Sequence, residues 1–113
     1  MKRIEAYIKS HRLDEVIGNL HVFDGLTGVS VHEIKGFGRG RGHDRSVRIV
    51  DTAISWIPHV KLEIFCSNEI LELVIKAIHD GAHTGLRGDG KIYVSSIDDA
   101  IRISSNERGN EAI

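Results

Sequence analysis

The chain has one cysteine, no long apolar run and no excess of basic charge, and each of these shortages argues against a class of protein. Cys66 is the single cysteine among 113 residues, so no disulfide can form within the chain, and a reducing, cytoplasmic location is expected. No apolar run is long enough to span a bilayer, so membrane insertion is not expected. The formal net charge of -1 lacks the basic excess of most nucleic-acid-binding proteins, so no nucleic-acid partner is expected.

What the chain does have is a regular hydrophobic pattern. Apolar residues alternate with polar ones over residues 4–8, 28–35, 60–66 and 92–94, which is the period-two pattern of β-strands. The alternation in the second stretch shifts at Ile34, which indicates a bulge. Ile101 and Ile103 predict a short last strand.

Two further stretches carry helical spacing of apolar residues. These stripes are Leu13, Val16, Ile17 and Leu20, and then Ile70, Leu71, Val74, Ile75 and Ile78. Gly81 is predicted to end the second helix. The order β-α-β-β-α-β predicts one α+β domain over residues 1–113 with a ferredoxin-like fold. In that fold both helices cover one face of an antiparallel sheet. The other face must be solvated or covered by another subunit.

The glycine-rich segment 84–91 contains most of a phosphate-binding P-loop motif. Gly85, Gly90 and Lys91 have its spacing, but Ile92 stands where the magnesium-binding Ser or Thr should be. The order is also helix–loop–strand instead of strand–loop–helix. A P-loop NTPase is therefore not expected, although the glycines and the nearby cations could still approach an anion. From the letters alone a plain turn is favoured, since Asp89-Gly90 is a common turn pair.

A second glycine-rich stretch opens the long connection before the third strand. Residues 36–42 read GFGRGRG, without the spacing of a dinucleotide fingerprint. Loops longer than about 12–15 residues within a compact domain are usually functional or disordered. The segment is either a solvated connection or an arm that touches a partner. Its arginines could contact phosphate, RNA or an acidic protein surface.

No catalytic or metal-binding constellation stands out among the remaining residues. No nucleophile-elbow motif frames a serine, and Cys66 falls on the apolar side of a strand, as an inert core thiol would. His79 and His83 are four residues apart. Gly81 lies between them, however, and no neighbouring cysteine or glutamate completes a ligand set. No dedicated metal site and no enzymatic activity are expected.

Taken in order, these segments resemble the PII signal-transduction family over nearly the whole chain. The resemblance rests on MKRIEAYIK and LDEV near the start, TGVSVHEIKGFGR, KLEI, TGLRGDGKIYV, AIRI and the final EAI. It implies a compact homotrimer of ferredoxin-like subunits that binds ATP or ADP in clefts between subunits, with magnesium as an optional companion. It also implies regulation of a partner protein through a long loop, the T-loop, at about residues 37–58.

The resemblance also implies roles for individual residues of this chain. The nucleotide contacts would come from the base of the T-loop, from the turn at 84–91 and from positions on the neighbouring subunit: Gly36, Phe37, Gly38, Arg39; Gly88, Asp89, Gly90, Lys91; and Gly28, Ser30, Glu63, Arg102. The partner would be contacted by loop residues Arg41, His43, Arg45, Arg48, Thr52 and Trp56. Residues 101–113 form the C-terminal segment.

Several departures from the family pattern change what is expected. Gly40 replaces the usual glutamine and His59 the usual lysine, two residues linked to 2-oxoglutarate, so 2-oxoglutarate is a doubtful ligand. Thr52 replaces a tyrosine that is uridylylated in many members, so that switch is absent. The target is unidentified, with a transporter or a membrane efflux system as candidates. The alternatives are a metal- or small-anion-responsive trimer using His43 or His59, and a weak ATPase.

Overall fold

The computed structural model describes residues 1–36 and 57–113. Its elements are β1 (Lys2–Lys9), α1 (Leu13–Leu20), β2 (Ser30–Gly36), β3 (Ile57–Cys66), α2 (Leu71–Ala82) and β4 (Gly90–Ser96). Short 3-10 turns precede both helices and close the chain at Gly109–Ala112. The β-α-β-β-α-β prediction is confirmed. In the described residues no helix is long and apolar enough to cross a membrane.

The four strands form one antiparallel sheet in the order β2-β3-β1-β4, the ferredoxin-like arrangement. Strand alternation places one set of side chains under both helices. The strands and helices contribute the buried residues Ile4, Ala6, Ile8, Val60, Leu62, Ile64, Cys66, Val16, Leu20, Val74, Ile78 and Ala82. This single core explains both hydrophobic patterns of the sequence. The residues at every second position of the strands and those along one face of each helix are the residues that pack in it.

The opposite face of the sheet carries no helix, and we call it the open face. Its side chains alternate with the core residues and are mostly charged or aromatic: Arg3, Glu5, Tyr7, Lys9, His59, Lys61, Glu63, Phe65, Lys91 and Tyr93. The hydrogen bond from Lys61 holds the pKa of Glu5 below its ordinary value, and their ion pair measures 3.0 Å. Polar pairs of this kind let a sheet face stay uncovered in an isolated chain.

The ends of several segments differ from the sequence-based expectations. β2 pairs with β3 in unbroken register from Ser30 to Gly36, so the expected bulge at Ile34 is absent; this residue lies on the open face. β3 begins at Ile57, so the last two residues of the stretch 37–58 lie in a strand. Pro58 is tolerated there because pairing with β1 ends at His59, leaving Pro58 one neighbouring strand.

The expected last strand and the expected helix stop at Gly81 are wrong. Among the residues that follow β4, Ile101 makes only an isolated bridge to Arg108. α2 runs through Gly81 to Ala82, and Gly81 is buried against α1. A Cβ at Gly81 would lie 2.9 Å from the Cα of Val16. The glycine therefore allows close helix contact and does not terminate the helix.

This packing predicts opposite effects for two helical glycine-to-alanine changes. Gly81→Ala should destabilise the fold by about 1–3 kcal/mol, because the new methyl group meets the backbone of Val16. Gly18→Ala in α1 should stabilise it by about 0.5–1 kcal/mol, since nothing lies within 4 Å of its Cβ and alanine favours helix. Urea unfolding at one chain concentration measures both. If the unfolding free energy changed in the same direction in both variants, this account of Gly81 would be contradicted.

Candidate functional site

The turn between α2 and β4 is organised around the carboxylate of Asp89. The backbone amides of Thr84 and Gly85 donate to Asp89 Oδ2 at 2.8 and 3.2 Å, and the Thr84 hydroxyl donates to Oδ1. Lys9 Nζ, from the end of β1, lies 3.2 Å from Oδ1. The carboxylate thus ties both ends of the turn to each other and to the sheet. The side chain of Asp89 therefore shapes the turn, and the nucleotide contact that the family resemblance implies for this residue stays a prediction.

These contacts set the charge state of Asp89. Burial by itself raises the pKa of a carboxyl group, but the hydrogen bonds from Thr84, Lys9 and Gly85 outweigh it. They hold the pKa of Asp89 well below its ordinary value of 3.8. Because the pKa is depressed in the folded state, the carboxylate stabilises the fold fully above the unfolded pKa, and this contribution is lost as pH falls.

Asp89→Asn is therefore expected to cost about 1–3 kcal/mol at neutral pH, since the amide cannot accept from all four donors and loses the charge. The difference in unfolding free energy between wild type and variant should be complete above about pH 5 and shrink as the pH falls below the ordinary carboxyl range. Urea unfolding from pH 3 to 7 tests it. Asp98→Asn, at an exposed site nearby in sequence, is the control. A difference that stays constant with pH would contradict the proposed ionised state.

His59 holds the turn from the sheet side. It lies on β3 opposite Lys9, and its Nε2 is 3.1 Å from the carbonyl oxygen of Gly88. A carbonyl oxygen only accepts hydrogen bonds, so Nε2 is the donor in this contact. The imidazole therefore engages one carbonyl of the segment Gly88–Lys91, and this acceptor is no longer directed toward an incoming anion.

The cations of the turn remain exposed. Lys91 is the second residue of β4 and lies opposite Tyr7 on β1, while Arg87 lies in the preceding turn. Gly90 approaches β1 so closely that a Cβ there would overlap the carbonyl oxygen of Tyr7. Gly85, Gly88 and Gly90 all have positive φ angles, which glycine adopts without strain. Exposed cations on a glycine-shaped backbone are the elements of a phosphate-binding turn.

Gly36 lies at the same end of the sheet as this turn. β2 ends at Gly36, β3 begins at Ile57 and pairs with it, and β1 ends at Lys9 beside His59. The two ends of the segment 37–56 are thus held as strand neighbours close to the turn. The candidate residues within that segment lie outside the described residues: Phe37, Gly38, Arg39, Arg41, His43, Arg45, Arg48, Thr52 and Trp56.

The other candidate residues are placed apart from the turn. Ser30 pairs with Glu63, four residues along β3 from His59, which is roughly 13 Å at the rise of a strand. Gly28 lines a separate, mostly apolar cleft of about 320 Å³ beside the end of α1. Arg102 is engaged by the C-terminal segment, donating to the Glu111 carbonyl at 2.8 Å. One chain does not bring these residues to the turn.

Two further features are the possible metal ligands and the environment of Cys66. In residues 1–36 and 57–113, no group of three or more His, Cys, Asp or Glu side chains could hold a metal ion. Cys66 is buried, and burial raises the pKa of its thiol, which agrees with an inert core position.

Comparison with known proteins covers the whole chain. The family model described as Nitrogen regulatory protein P-II matches residues 1–107. Curated proteins of that name from Rhodospirillum rubrum and Rhizobium meliloti are 47% and 46% identical over 113 residues, covering 100% of each chain. A solved structure, Arabidopsis thaliana PII bound to citrate, is 33% identical with a TM-score of 0.80. This match covers 99% of this chain and 91% of that one. This chain belongs to the PII family.

Family membership gives the chain a place among regulatory signal-transduction proteins. The family model and the curated relatives carry the name nitrogen regulatory protein P-II. Sequence reasoning located the PII turn but missed two residues that shape it, Lys9 and Thr84. The five-residue spacing from Thr84 to Asp89 is a local signal that could have been found. Lys9 reaches the turn only through the sheet register, which no local pattern reveals.

Proposed function

We propose that this PII protein is a nucleotide-responsive regulator: ATP or ADP binds between the subunits of a homotrimer, and the segment 37–58 acts on a partner protein. It works by binding and not by catalysis. The observation that carries the proposal is the turn 84–91, where Asp89 and His59 organise the backbone and Lys91 and Arg87 stay exposed.

The turn suits the polyphosphate part of a nucleotide. Its glycines allow backbone N–H groups to approach phosphate oxygens closely, and Lys91 adds an exposed positive charge. Asp89 would repel an anion if its carboxylate were directed outward, but it is satisfied by donors from within the chain. The site therefore presents mostly donors and cations outward.

A trimer would bring the remaining candidate residues to the site. Ser30 and Glu63 lie along the sheet from the turn, so in our proposal a neighbouring subunit supplies them together with Gly28 and Arg102. The open face supports association: Phe65 and Tyr93 are 41% and 52% exposed.

The position of the turn supports control of the loop. Gly36 and Ile57, which flank the segment 37–56, are paired at the sheet end where the turn also lies. A nucleotide held there would contact the base of the loop and favour some of its conformations over others. Any partner that binds the favoured conformation would then respond to the nucleotide.

Titration calorimetry of the full chain with ATP, ADP and AMP, each with and without magnesium, tests this function. Sedimentation analysis of the same samples gives the number of subunits. We expect ATP or ADP to bind a trimer with up to one site per chain. Absence of binding by all three nucleotides would refute the proposal.

Two additional ligands distinguish the alternatives. 2-Oxoglutarate is included because Gly40 and His59 predict that it will not strengthen ATP binding. Citrate is included because the related Arabidopsis PII is described bound to it. Binding of citrate without any nucleotide binding would favour a small-anion-responsive protein instead.

A further inference from the structure

Two histidines meet at the C-terminal end of α2, away from the open face. His79 lies in the last turn of the helix, and His83 follows it as the residue that caps the helix. The amide of His83 donates to the carbonyl of His79 at 2.9 Å, which keeps the two residues one turn apart. Their rings stack with centroids 5.2 Å apart and planes 20° from parallel.

The sequence alone argued against a metal site here on two grounds: Gly81 stands between the two histidines, and no neighbouring cysteine or glutamate completes a ligand set. The structure removes the first objection, since the helix continues through Gly81, which packs against Val16 of α1. His79 and His83 are both exposed to solvent, and the side chain of His79 is 64% exposed. Two imidazoles on one exposed helix face are thus accessible to an ion from solution.

A neighbouring carboxylate favours one orientation of the first imidazole. Asp80 Oδ1 lies 3.7 Å from Nδ1 of His79, while Asp80 Oδ2 accepts a hydrogen bond from Lys76 at 2.6 Å. This contact is longer than a hydrogen bond, so the carboxylate acts on the imidazole through its charge. A shorter approach would give the N–H to carboxylate hydrogen bond that commonly orients histidine ligands and leaves Nε2 for the metal ion.

We propose that His79 and His83 together bind a first-row divalent transition-metal ion that prefers imidazole ligands, Cu²⁺ most tightly, followed by Ni²⁺ and Zn²⁺. Two protein ligands leave the other coordination positions to water, because no cluster of three ligating side chains occurs in the described residues. The site is therefore open and exchangeable, unlike a closed structural zinc site.

The position of the site gives the bound ion a structural effect. His83 is followed directly by Thr84, whose amide and hydroxyl bind Asp89. A metal ion joining His79 to His83 would stabilise the junction between α2 and the turn 84–91. Because the ion binds the folded chain, it should raise the melting temperature as its concentration increases.

The test titrates the full chain with CuCl2, NiCl2 and ZnCl2 separately, using calorimetry and thermal melting. We expect one Cu²⁺ bound per chain at this site. His79→Ala and His83→Ala should each weaken it by at least about ten-fold, because the second imidazole binds intramolecularly. Both side chains are exposed, so circular dichroism should show that the variants remain folded.

Control variants separate this site from other histidines. His21→Ala, at the far end of α1, should leave Cu²⁺ binding unchanged. Electron paramagnetic resonance of the Cu²⁺ complex should show two nitrogen donors in wild type and one in each of the His79 and His83 variants. The proposal is overturned if wild type binds none of the three ions. It also fails if the binding survives both substitutions, or is lost only with His43→Ala or His59→Ala.

Discussion

Replacing Lys91 by alanine is expected to weaken ATP binding by about 10- to 150-fold, because a charge-assisted hydrogen bond to phosphate contributes about 1.5–3 kcal/mol. Lys91 stands at the start of β4, exposed beside a turn whose backbone is already shaped by Asp89 and His59. Titration calorimetry at constant ionic strength measures the change. Unfolding stability should remain within about 0.5 kcal/mol, since the side chain is exposed.

Two comparisons make the Lys91 result specific to phosphate. Lys2→Ala removes a lysine at the opposite end of the sheet, where Lys2 hydrogen-bonds Ser96 at 2.9 Å, and should leave ATP affinity unchanged. AMP, with a single phosphate, should lose less affinity than ATP on Lys91→Ala. If Lys91→Ala binds ATP as tightly as wild type, the turn 84–91 is not the phosphate site.

Gly90→Ala is expected to destabilise the fold by about 3–5 kcal/mol, which combines left-handed backbone strain with overpacking. Gly90 has a φ of 106° and pairs with Ile8 in the β1–β4 ladder. A Cβ there would overlap the carbonyl oxygen of Tyr7, so β4 could not keep its register against β1. Since domains of this kind are stable by about 5–15 kcal/mol, the loss is a large fraction of the total.

Gly85→Ala provides a matched control in the same turn. Its φ is 82°, similarly left-handed, but nothing lies within 4 Å of its Cβ position. This variant should therefore carry only the conformational strain, about 1–2 kcal/mol. Urea unfolding of both variants at equal chain concentration separates strain from overlap. Equal losses for Gly85→Ala and Gly90→Ala would show that contact with Tyr7 is unimportant.

The helices and strands could be predicted from the chain because each is recorded in local periodicity. Val16 and Leu20 in α1 and Leu62 and Ile64 in β3 occupy the spacings that face one shared core. Segment ends were less predictable. Glycine commonly ends helices, yet the role of Gly81 depends on how closely Val16 of the other helix approaches it. A local pattern holds no information about that distance.

The candidate site, too, was predictable from the sequence only in part. The spacing of Gly85, Gly90 and Lys91 by itself favoured a plain turn, and the motifs in order indicated the PII family that the comparisons confirmed. The phosphate-binding role of the turn came only with that resemblance. The roles of individual residues needed the fold. Asp89, read as a ligand contact, is held by the chain's own donors, and Lys9 enters only because β1 ends beside the turn.

The sequence by itself determined the order of elements and the single core, because hydrophobic spacing and turn residues act over a few neighbouring positions. It also indicated the family, through the resemblance of its motifs in order. Only the tertiary structure decided which distant groups meet. His59 reaches Gly88 because β1 and β3 pair in one register, and His79 stacks on His83 because α2 continues through Gly81. Such contacts follow from the register of strands and the separation of helices, which the whole core sets together.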